Sequence, residues 1–561
     1  MTDSKLPSPI DVTKSEAPSK KRHHISRKRL WLFRAIVVVA PFVMLVFTEI
    51  VLRAFGVGRD LTLVQELKPP LPPFTHRLNP SIDYAYYDNM DVSGPEPRPF
   101  QMPKPKGVFR IVCLGGSTVI GFPYASELAF PRQIEFLLEL QNPDIDFEVL
   151  NAGVTSMNSF VVSDLTEQCL ACDPDLIVIH SGHNEFYGPG GSASTIEERS
   201  SALSETVFDL RRLRLAQVFT SNERSVDTNA DLLTALPQEF EIPLQSTYVK
   251  KAESNLRRNL KHAIATAQAA NVPVVLSSVA SKLRGLSPMR AFWPENCNRS
   301  REEEWNELLR VAESYLESRS YAEAKALLDQ ASQICEQHAL LQYRLAQYYE
   351  ATEQFDLARQ KYELARDLDG CRFRAPTRFH TVFKELVENE SPNVAFVDVA
   401  ENLKQIASPA GPGDRFFLEH VHYTFEGHFE LAKMFSQTIQ QKILMSTWNL
   451  DVVPEIEGMK AIVGYLPEDD LGAWSITLQV YETEPFRECA DLEAHQQQCV
   501  TKISGILQNL PEFRREAFAD LTMAQILGEL LEGLKSVHQH RRSSEFLEQL
   551  NELQQTRFSF H

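Results

Sequence analysis

The stretch that best indicates the fold of this chain is Phe109-Arg110-Ile111-Val112-Cys113-Leu114-Gly115-Gly116-Ser117-Thr118. Its first six residues are apolar except for Arg110, and the run stops at two glycines and a serine. An apolar run that ends in a glycine turn is typical of a buried β-strand followed by a loop. A serine on such a turn can expose its hydroxyl and begin a helix, so the stretch also predicts a chemical site.

Four more apolar runs repeat this pattern, and segments of helical character separate them. They cover residues 147–150, 176–180, 272–276 and 394–399. Continuous apolar runs between helices indicate a parallel sheet that is covered on both faces, so we predict an α/β fold. In such sheets the loops after the carboxyl ends of the strands build the site.

Three residues at predicted strand ends have side chains or backbone groups suited to acyl chemistry. Ser117 ends the first strand, Gly153 the second and Asn184 the third. A phosphate-binding turn at Ser117 is disfavoured because neither a P-loop nor a dinucleotide glycine motif is present. On the serine alone, a plain N-cap is an equally good interpretation.

A second cluster, Glu419-His420-Val421-His422, lies near the end of the α/β region. The spacing of three between Glu419 and His422 lets the carboxylate orient the imidazole while its other nitrogen accepts a serine proton. His420 and His428 are rival bases, and Asp414 is an alternative acid. His183 and Glu185 are expected to shape the pocket.

Taken together, these motifs resemble the SGNH, or GDSL-like, hydrolase family over residues 106–299 and 371–440. The resemblance implies a three-layer, flavodoxin-like parallel sheet. It implies Ser117 as nucleophile, His422 as base and Glu419 as the orienting acid, with Ser117, Gly153 and Asn184 forming the oxyanion hole. Gly-Gly-Ser stands here for the family's Gly-Asp-Ser, and Glu419 for its usual Asp.

Residues 300–370 contain a repeat of 34 residues that interrupts the α/β region. Seven pairs are in register, among them Ala312/Ala346, Ala324/Ala358 and Ala331/Ala365. The pattern resembles two tetratricopeptide repeats, which are too few to be stable alone and should lean on the α/β domain. A packing insert and a protein-binding surface are the alternative interpretations.

The amino-terminal end has the charge and hydropathy of a membrane anchor. Residues 1–34 carry nine Lys/Arg and three Asp/Glu, a net charge of +6. Because the whole chain has a net charge of −18, the remaining residues carry −24. We predict a basic cytoplasmic tail at 1–29, a transmembrane helix at 30–54 with a Glu49–Arg53 pair, and an extracytoplasmic bulk, periplasmic if the protein is bacterial. A cleaved signal peptide is the alternative. Residues 55–105 suggest a stalk or a strand packed on the next domain.

The remaining features limit the possible functions. At 561 residues the chain is too long for one core, and its acidic charge argues against nucleic-acid binding. Residues 441–561 are expected to form a mostly helical accessory region. Among the eight cysteines, Cys489/Cys499 is the favoured disulfide, whereas Cys113, Cys335 and Cys371 are expected to be buried thiols. No cofactor or metal is expected, because the histidines have no metal-ligand spacing.

The sequence therefore predicts a membrane-anchored serine esterase that acts outside the cytoplasm through an acyl-serine intermediate. The resemblance to the hydrolase family implies that esters on envelope glycans, lipids or small molecules are its substrates. Two alternatives remain open: an O-acyltransferase with the same residues, and an inactive scaffold that presents the repeats to a protein partner.

Overall fold

The computed structural model describes residues 27–87, 92–195, 208–220, 241–389 and 394–510. Most of the predicted basic tail and the last 51 residues of the predicted helical region lie outside the described residues. The chain divides into two units. One comprises Met1–Arg59 with Leu213–Thr220, and the other comprises Asp60–Arg212 with Ser221–His561.

Sixteen α-helices are described, together with eight strands. The helices are α1 Arg27–Ala54, α2 Ser117–Ile120, α3 Phe130–Gln141, α4 Ser159–Cys169, α5 Arg214–Thr220, α6 Thr247–Ala269, α7 Glu302–Glu317, α8 Tyr321–Ile334, α9 Ala339–Ala351, α10 Phe355–Leu368, α11 Thr377–Asn389, α12 Val399–Ile406, α13 Phe425–Thr438, α14 Ile456–Val463, α15 Pro467–Tyr481 and α16 Leu492–Asn509. The strands are β1 Val64–Leu71, β2 Phe74–Leu78, β3 Pro99–Phe100, β4 Val108–Gly115, β5 Asp146–Asn151, β6 Leu176–His180, β7 Val274–Ser277 and β8 Val394–Val397.

The central sheet contains all five predicted strands, and every neighbouring pair is parallel. Its order is β5-β4-β6-β7-β8, which is the flavodoxin-like order 2-1-3-4-5. Helices α3 and α13 pack together on one side, while α4, α6 and α11 form the other layer. Strand β6 is buried along its whole length, as a sheet covered on both faces requires. The predicted three-layer α/β fold is confirmed.

The first unit contains the predicted anchor helix. The most apolar window of 18 residues within residues 31–54 of α1 has a mean hydropathy of 2.6, and the segment is long and apolar enough to cross a membrane. A signal sequence has the same properties. Glu49 pairs with Arg53 at 2.7 Å, as the i,i+4 spacing predicted, and also accepts hydrogen bonds from the first two N–H groups of α5.

The described residues 60–87 and 92–105 pack onto the following domain. Strands β1, β2 and β3 make a small antiparallel sheet, and the Tyr86, Tyr87 and Phe100 rings are buried in the main hydrophobic core. The Tyr87 hydroxyl donates to the Thr155 carbonyl, so this segment also supports the loop after β5. Of the two sequence-based alternatives, packing onto the next domain is the one that the structure shows.

The interrupting segment consists of two helix pairs, α7 with α8 and α9 with α10. The alanines of the 34-residue repeat are buried where these helices meet, including Ala312, Ala346 and Ala358 at 0% exposure. The second pair shares a core with Leu283 and Ala410 of the α/β domain, so the insert does lean on that domain. Its assignment to tetratricopeptide repeats, and any protein partner, stay predictions.

The disulfide joins the loop before the insert to the insert itself, and it differs from the predicted one. Cys297 and Cys335 are bonded, with their Cα atoms 5.3 Å apart, whereas Cys489 and Cys499 are buried free thiols. The predictions for Cys489/Cys499 and for a free Cys335 are therefore wrong. Proximity in sequence failed here because the loop before α7 folds back onto the end of α8.

Candidate active site

Ser117 lies where β4 ends and α2 begins, at the carboxyl edge of the sheet. The two preceding glycines allow the close approach that places it there. A Cβ on Gly115 would lie 2.2 Å from the His180 carbonyl oxygen, and one on Gly116 would lie 2.8 Å from Asn184 Nδ2. Ser117 is 9% exposed and lines a cavity at this edge.

His422 reaches this serine from the loop before α13. Its Nε2 lies 2.7 Å from Ser117 Oγ, so the hydroxyl can donate a hydrogen bond to the imidazole. The loop is held by a hydrogen bond of 2.9 Å from the Leu418 N–H to the His422 carbonyl. The Phe122 ring packs edge-on against the imidazole, with 4.7 Å between ring centroids. These contacts fix the position of the ring before any substrate binds.

The capping of α13 explains why Thr424 and Gly427 follow His422. Thr424 Oγ1 accepts the Gly427 N–H at 3.1 Å and donates to the Arg415 carbonyl at 2.7 Å. A Cβ on Gly427 would lie 2.4 Å from the Phe416 carbonyl oxygen, which requires glycine at this position. The helix therefore starts at a fixed point, three residues beyond His422.

Glu419 is buried at 1% exposure and accepts hydrogen bonds from two imidazoles. One carboxylate oxygen contacts His422 Nδ1, and the other contacts His420 Nδ1. Burial alone would raise the pKa of Glu419, but its interactions with His420 and His422 outweigh burial and hold that pKa well below its ordinary value. The group is therefore an ionised acceptor that orients both rings.

Of the three rival residues, His420 contacts Glu419 at the cavity, whereas His428 and Asp414 lie elsewhere. His428 is fully buried, where it accepts the Phe130 N–H through Nδ1, and burial lowers its pKa to about 3. Asp414 forms an ion pair of 2.5 Å with the buried Lys282. The structure thus places His422 against Ser117, and Glu419 rather than Asp414 against His422.

Two hydrogen-bond donors of the predicted oxyanion hole lie at the cavity, and the third does not. Asn184 Nδ2 donates one hydrogen to the Met157 carbonyl at 3.0 Å, which fixes the amide next to Gly116. Ser117 and Asn184 both line the cavity. Gly153 is not among the described residues that line it.

Gly153 instead has a packing function, which corrects the prediction for this residue. Its N–H donates to Asn151 Oδ1 at 3.1 Å, and a Cβ there would lie 2.6 Å from the Ile120 N. Ser156, three residues later, lines the cavity with a left-handed φ of 58°. Its N–H has no hydrogen-bond partner among the described residues. Nothing in a serine's identity signals this backbone conformation, so sequence reasoning missed it.

The cavity combines these polar groups with an apolar wall. Phe122, Met157, Tyr187, Phe373 and Val480 contribute the wall. Phe373 follows the helical insert, and Val480 belongs to α15 in the carboxyl-terminal region. Neither position carries a motif, so both were missed from the sequence. The region predicted to be accessory therefore forms part of the candidate site.

His183 lines the cavity, as expected, whereas Glu185 is not among the described residues that line it. His183 uses both ring nitrogens, accepting the Ala375 N–H at 3.2 Å and donating to the Ala280 carbonyl at 3.1 Å. Glu185 accepts the N–H and hydroxyl of Ser159 at 2.8 and 2.6 Å. Burial outweighs these bonds and raises the pKa of Glu185 to about 7.

A metal ion would compete with the hydrogen bonds of Glu419, His420 and His422 in the loop before α13. Ligand atoms of Glu419, His420 and His422 lie within 4.8 Å of one another. Both Nδ1 atoms, however, contact the carboxylate, and a nitrogen that carries a proton does not bind a metal. The chemistry of Glu419, His420 and His422 therefore fits a carboxylate hydrogen-bonded to two imidazoles better than a metal site.

No family model matches this chain, and no curated protein matches it. Solved structures that resemble it include a GDSL-like lipase from Bacteroides thetaiotaomicron, at 12% identity over 60% of this chain and 88% of that one, with a TM-score of 0.27. A variant of an acetyl xylan esterase from Geobacillus stearothermophilus has 12% identity over 61% and 97% of the two chains, also with a TM-score of 0.27. The acetyl xylan esterase AlAXEase has 11% identity over 58% and 98%, with the same TM-score. The function proposed below rests on this chain's own residues.

Proposed function

We propose that this protein is a serine esterase that forms an acyl-enzyme at Ser117. The observation that carries the proposal is the continuous hydrogen-bonded line from Ser117 through His422 to Glu419 at the edge of an open cavity. A serine hydroxyl is a weak nucleophile alone, and an oriented imidazole activates it. This line has the geometry of a nucleophile, a general base and an orienting acid.

In the first step, Ser117 Oγ attacks the ester carbonyl carbon while its proton moves to His422 Nε2. Glu419 remains ionised, keeps the other imidazole nitrogen protonated and stabilises the imidazolium that forms. The tetrahedral intermediate collapses when His422 returns the proton to the leaving alcohol oxygen. Water then attacks the acyl-serine with His422 again as the base, which releases the acid and restores Ser117.

The negative oxygen of the tetrahedral intermediate needs fixed donors. The second hydrogen of Asn184 Nδ2 and the N–H of Ser117 are available for it, and the Ser156 N–H takes the place predicted for Gly153. Donors held in position before the reaction contribute most when water is excluded, because no reorganisation is then needed. The fixed Asn184–Met157 hydrogen bond supports this assignment.

The enzyme is proposed to be anchored in a membrane through α1 and to act outside the cytoplasm. The apolar helix and the basic residues before it support the anchor and its orientation. The Cys297–Cys335 disulfide supports an oxidising compartment. Protease added to cells whose outer barrier has been removed, such as spheroplasts, should digest the catalytic part of the chain, and complete protection would contradict this orientation.

The activity can be tested by labelling the detergent-solubilised full chain with a fluorophosphonate probe. We expect modification of Ser117, detected by mass spectrometry, and hydrolysis of phenyl acetate. Ser117→Ala should abolish labelling, and His422→Ala should slow it by orders of magnitude. A folded wild-type protein that is neither labelled nor active would exclude the esterase. Acetate release compared with acetyl transfer to an added alcohol would separate hydrolysis from acyl transfer.

A further inference from the structure

Helix α5 contacts the carboxyl-terminal end of the anchor helix α1 through one carboxylate. Glu49 Oε1 accepts the Arg214 N–H at 3.0 Å, and Oε2 accepts the Leu215 N–H at 2.9 Å, although 165 positions separate Glu49 from Arg214 in the chain. Arg53 pairs with the same carboxylate at 2.7 Å, and the Glu49 side chain is only 14% exposed. The start of α5 is therefore held at the level of Glu49.

Gln217 provides a second attachment, beyond the end of α1. Its Oε1 accepts the Arg59 N–H, and its Nε2 donates to the Arg59 carbonyl at 3.3 Å. The chain turns at Gly56 and Gly58, which have left-handed φ values of 68° and 78°. A Cβ on Gly58 would lie 2.9 Å from Gln217 Oε1, so the turn packs closely on α5. Helix α5 is thus attached at two points, to α1 and to the segment that follows it.

The depth of the first attachment follows from the length of α1. About 20 residues of helix cover the hydrocarbon core of a bilayer, so a core that begins at Trp31 ends at about Ile50. Glu49 then lies at the boundary between acyl chains and headgroups, where an unpaired carboxylate is costly. Arg53 and the two N–H groups of α5 compensate that carboxylate. Because α5 starts at Glu49, it starts at the same boundary.

The composition of α5 suits this depth. Arg214 is its only charged residue, and Leu215-Ala216-Gln217-Val218-Phe219-Thr220 follow. Among the side chains described in α5, Val218 is the most exposed, at 46%. On α1, Phe47 and Ile50 are similarly exposed, at 66% and 58%. An apolar side chain that is exposed at the boundary of the acyl chains is favoured in lipid over water.

We propose that α5 is a second membrane contact of this protein. It lies in the headgroup layer of a phospholipid bilayer, held there by Glu49 and Gln217, with Val218 directed to the acyl chains. The proposal rests on the membrane anchor proposed above and is independent of the esterase. In this assignment Glu49, a charged residue inside the apolar segment, is the attachment point for a distant part of the chain.

The test measures the depth of nitroxide labels in the full chain, reconstituted in vesicles of phosphatidylcholine and phosphatidylglycerol. Labels are attached to Val218→Cys, to Phe47→Cys as the hydrocarbon reference, and to Leu357→Cys as the aqueous control. Leu357 is an apolar residue of α10 with a matched exposure of 39%. The wild-type chain measures background labelling, because its six free thiols are buried. Depth is obtained from the accessibility of each label to oxygen and to a water-soluble nickel chelate.

The Val218 label should lie about 5–10 Å into the boundary between headgroups and acyl chains, deeper than the Leu357 label, which should remain in water. In a chain that also carries Glu49→Ala, the Val218 label should move toward water, because α5 loses its first attachment. The Phe47 label should keep its depth in that variant, because α1 still spans the bilayer.

The labels distinguish failure of the proposal from failure of the anchor. A Phe47 label in lipid, with a Val218 label as accessible to nickel as the Leu357 label, would overturn the proposal and leave the anchor intact. This comparison keeps Glu49, so it decides even if Glu49→Ala fails to fold. A Phe47 label in water would overturn the anchor and the proposal together. A Val218 depth that Glu49→Ala leaves unchanged would overturn the role of Glu49 as the attachment point.

Discussion

His422 Nε2 lies 2.7 Å from Ser117 Oγ, although 305 positions separate the two residues in the chain. The sheet topology produces this contact, because Ser117 follows the inner strand β4 and His422 follows the edge strand β8 through α12. All five strands are parallel, so both loops emerge at the same edge. The helical insert between β7 and β8 lengthens the chain without changing that geometry.

The first prediction concerns which acid orients His422. Glu419→Gln should lower kcat by about 10³- to 10⁴-fold with phenyl acetate, because the imidazole loses its charged partner. Asp414→Asn should retain turnover but lower the free energy of unfolding by about 1–3 kcal/mol, because it removes the partner of the buried Lys282. Steady-state kinetics and thermal melting separate the two effects. A large loss of turnover in the Asp414 variant alone would contradict the assignment.

The second prediction tests Asn184 as a donor to the oxyanion. Gly116→Ala places a Cβ 2.8 Å from Asn184 Nδ2 and should displace the amide. The φ of Gly116 is −83°, which alanine adopts without strain, so the fold should persist. We expect kcat/KM for phenyl acetate to fall by about 10²- to 10³-fold. Gly505→Ala, which meets nothing within 4 Å, is the control and should behave like the wild type. Equal activity in the two variants would contradict the assignment of Asn184 as a hydrogen-bond donor to the oxyanion.

The third prediction concerns stability and pH at Glu185. Its pKa of about 7 in the folded state exceeds the ordinary value of 4.5, so the folded protein keeps a proton that the unfolded chain loses. The contribution of Glu185 to the free energy of unfolding should therefore fall by about 3 kcal/mol as pH rises from 4.5 to 7, and then level off.

Melting temperatures of the wild-type protein and Glu185→Gln across this range measure the effect. The difference between the two proteins should change with pH, because only the wild type carries the titrating carboxyl. Glu457→Gln, at a position where the side chain is 78% exposed, should follow the wild type. Parallel curves for wild type and Glu185→Gln would show that Glu185 has an ordinary pKa.

The fourth prediction is the disulfide pattern. Without reductant, the denatured protein should expose six thiols, and with reductant all eight cysteines should react. Cys297→Ser should give seven thiols without reductant, because Cys335 is released. Cys489→Ser should give five. The opposite result, with five thiols for Cys297→Ser and seven for Cys489→Ser, would restore the pairing suggested by sequence proximity.

The sheet and the triad could be predicted because their signals are local. Each strand is a continuous apolar run, and Ser117, Glu419 and His422 are reactive residue types at characteristic positions. The cavity wall could not be predicted in this way. Phe373 and Val480 are ordinary apolar residues whose importance depends on where distant helices pack. Ser156 has a backbone conformation that its side chain does not signal, and Gly153 was misassigned because close packing and oxyanion binding both favour glycine.

The long interval between Ser117 and His422 has a consequence during biosynthesis. At about 5–20 residues per second, a ribosome needs roughly 15–60 s to pass from the nucleophile to its base. Throughout this time the nascent chain holds a serine without an activating partner. Val480, which closes one wall, is added still later. The site is therefore incomplete while the chain is being made, and the reactivity proposed for Ser117 begins only when the last part of the site has been synthesised.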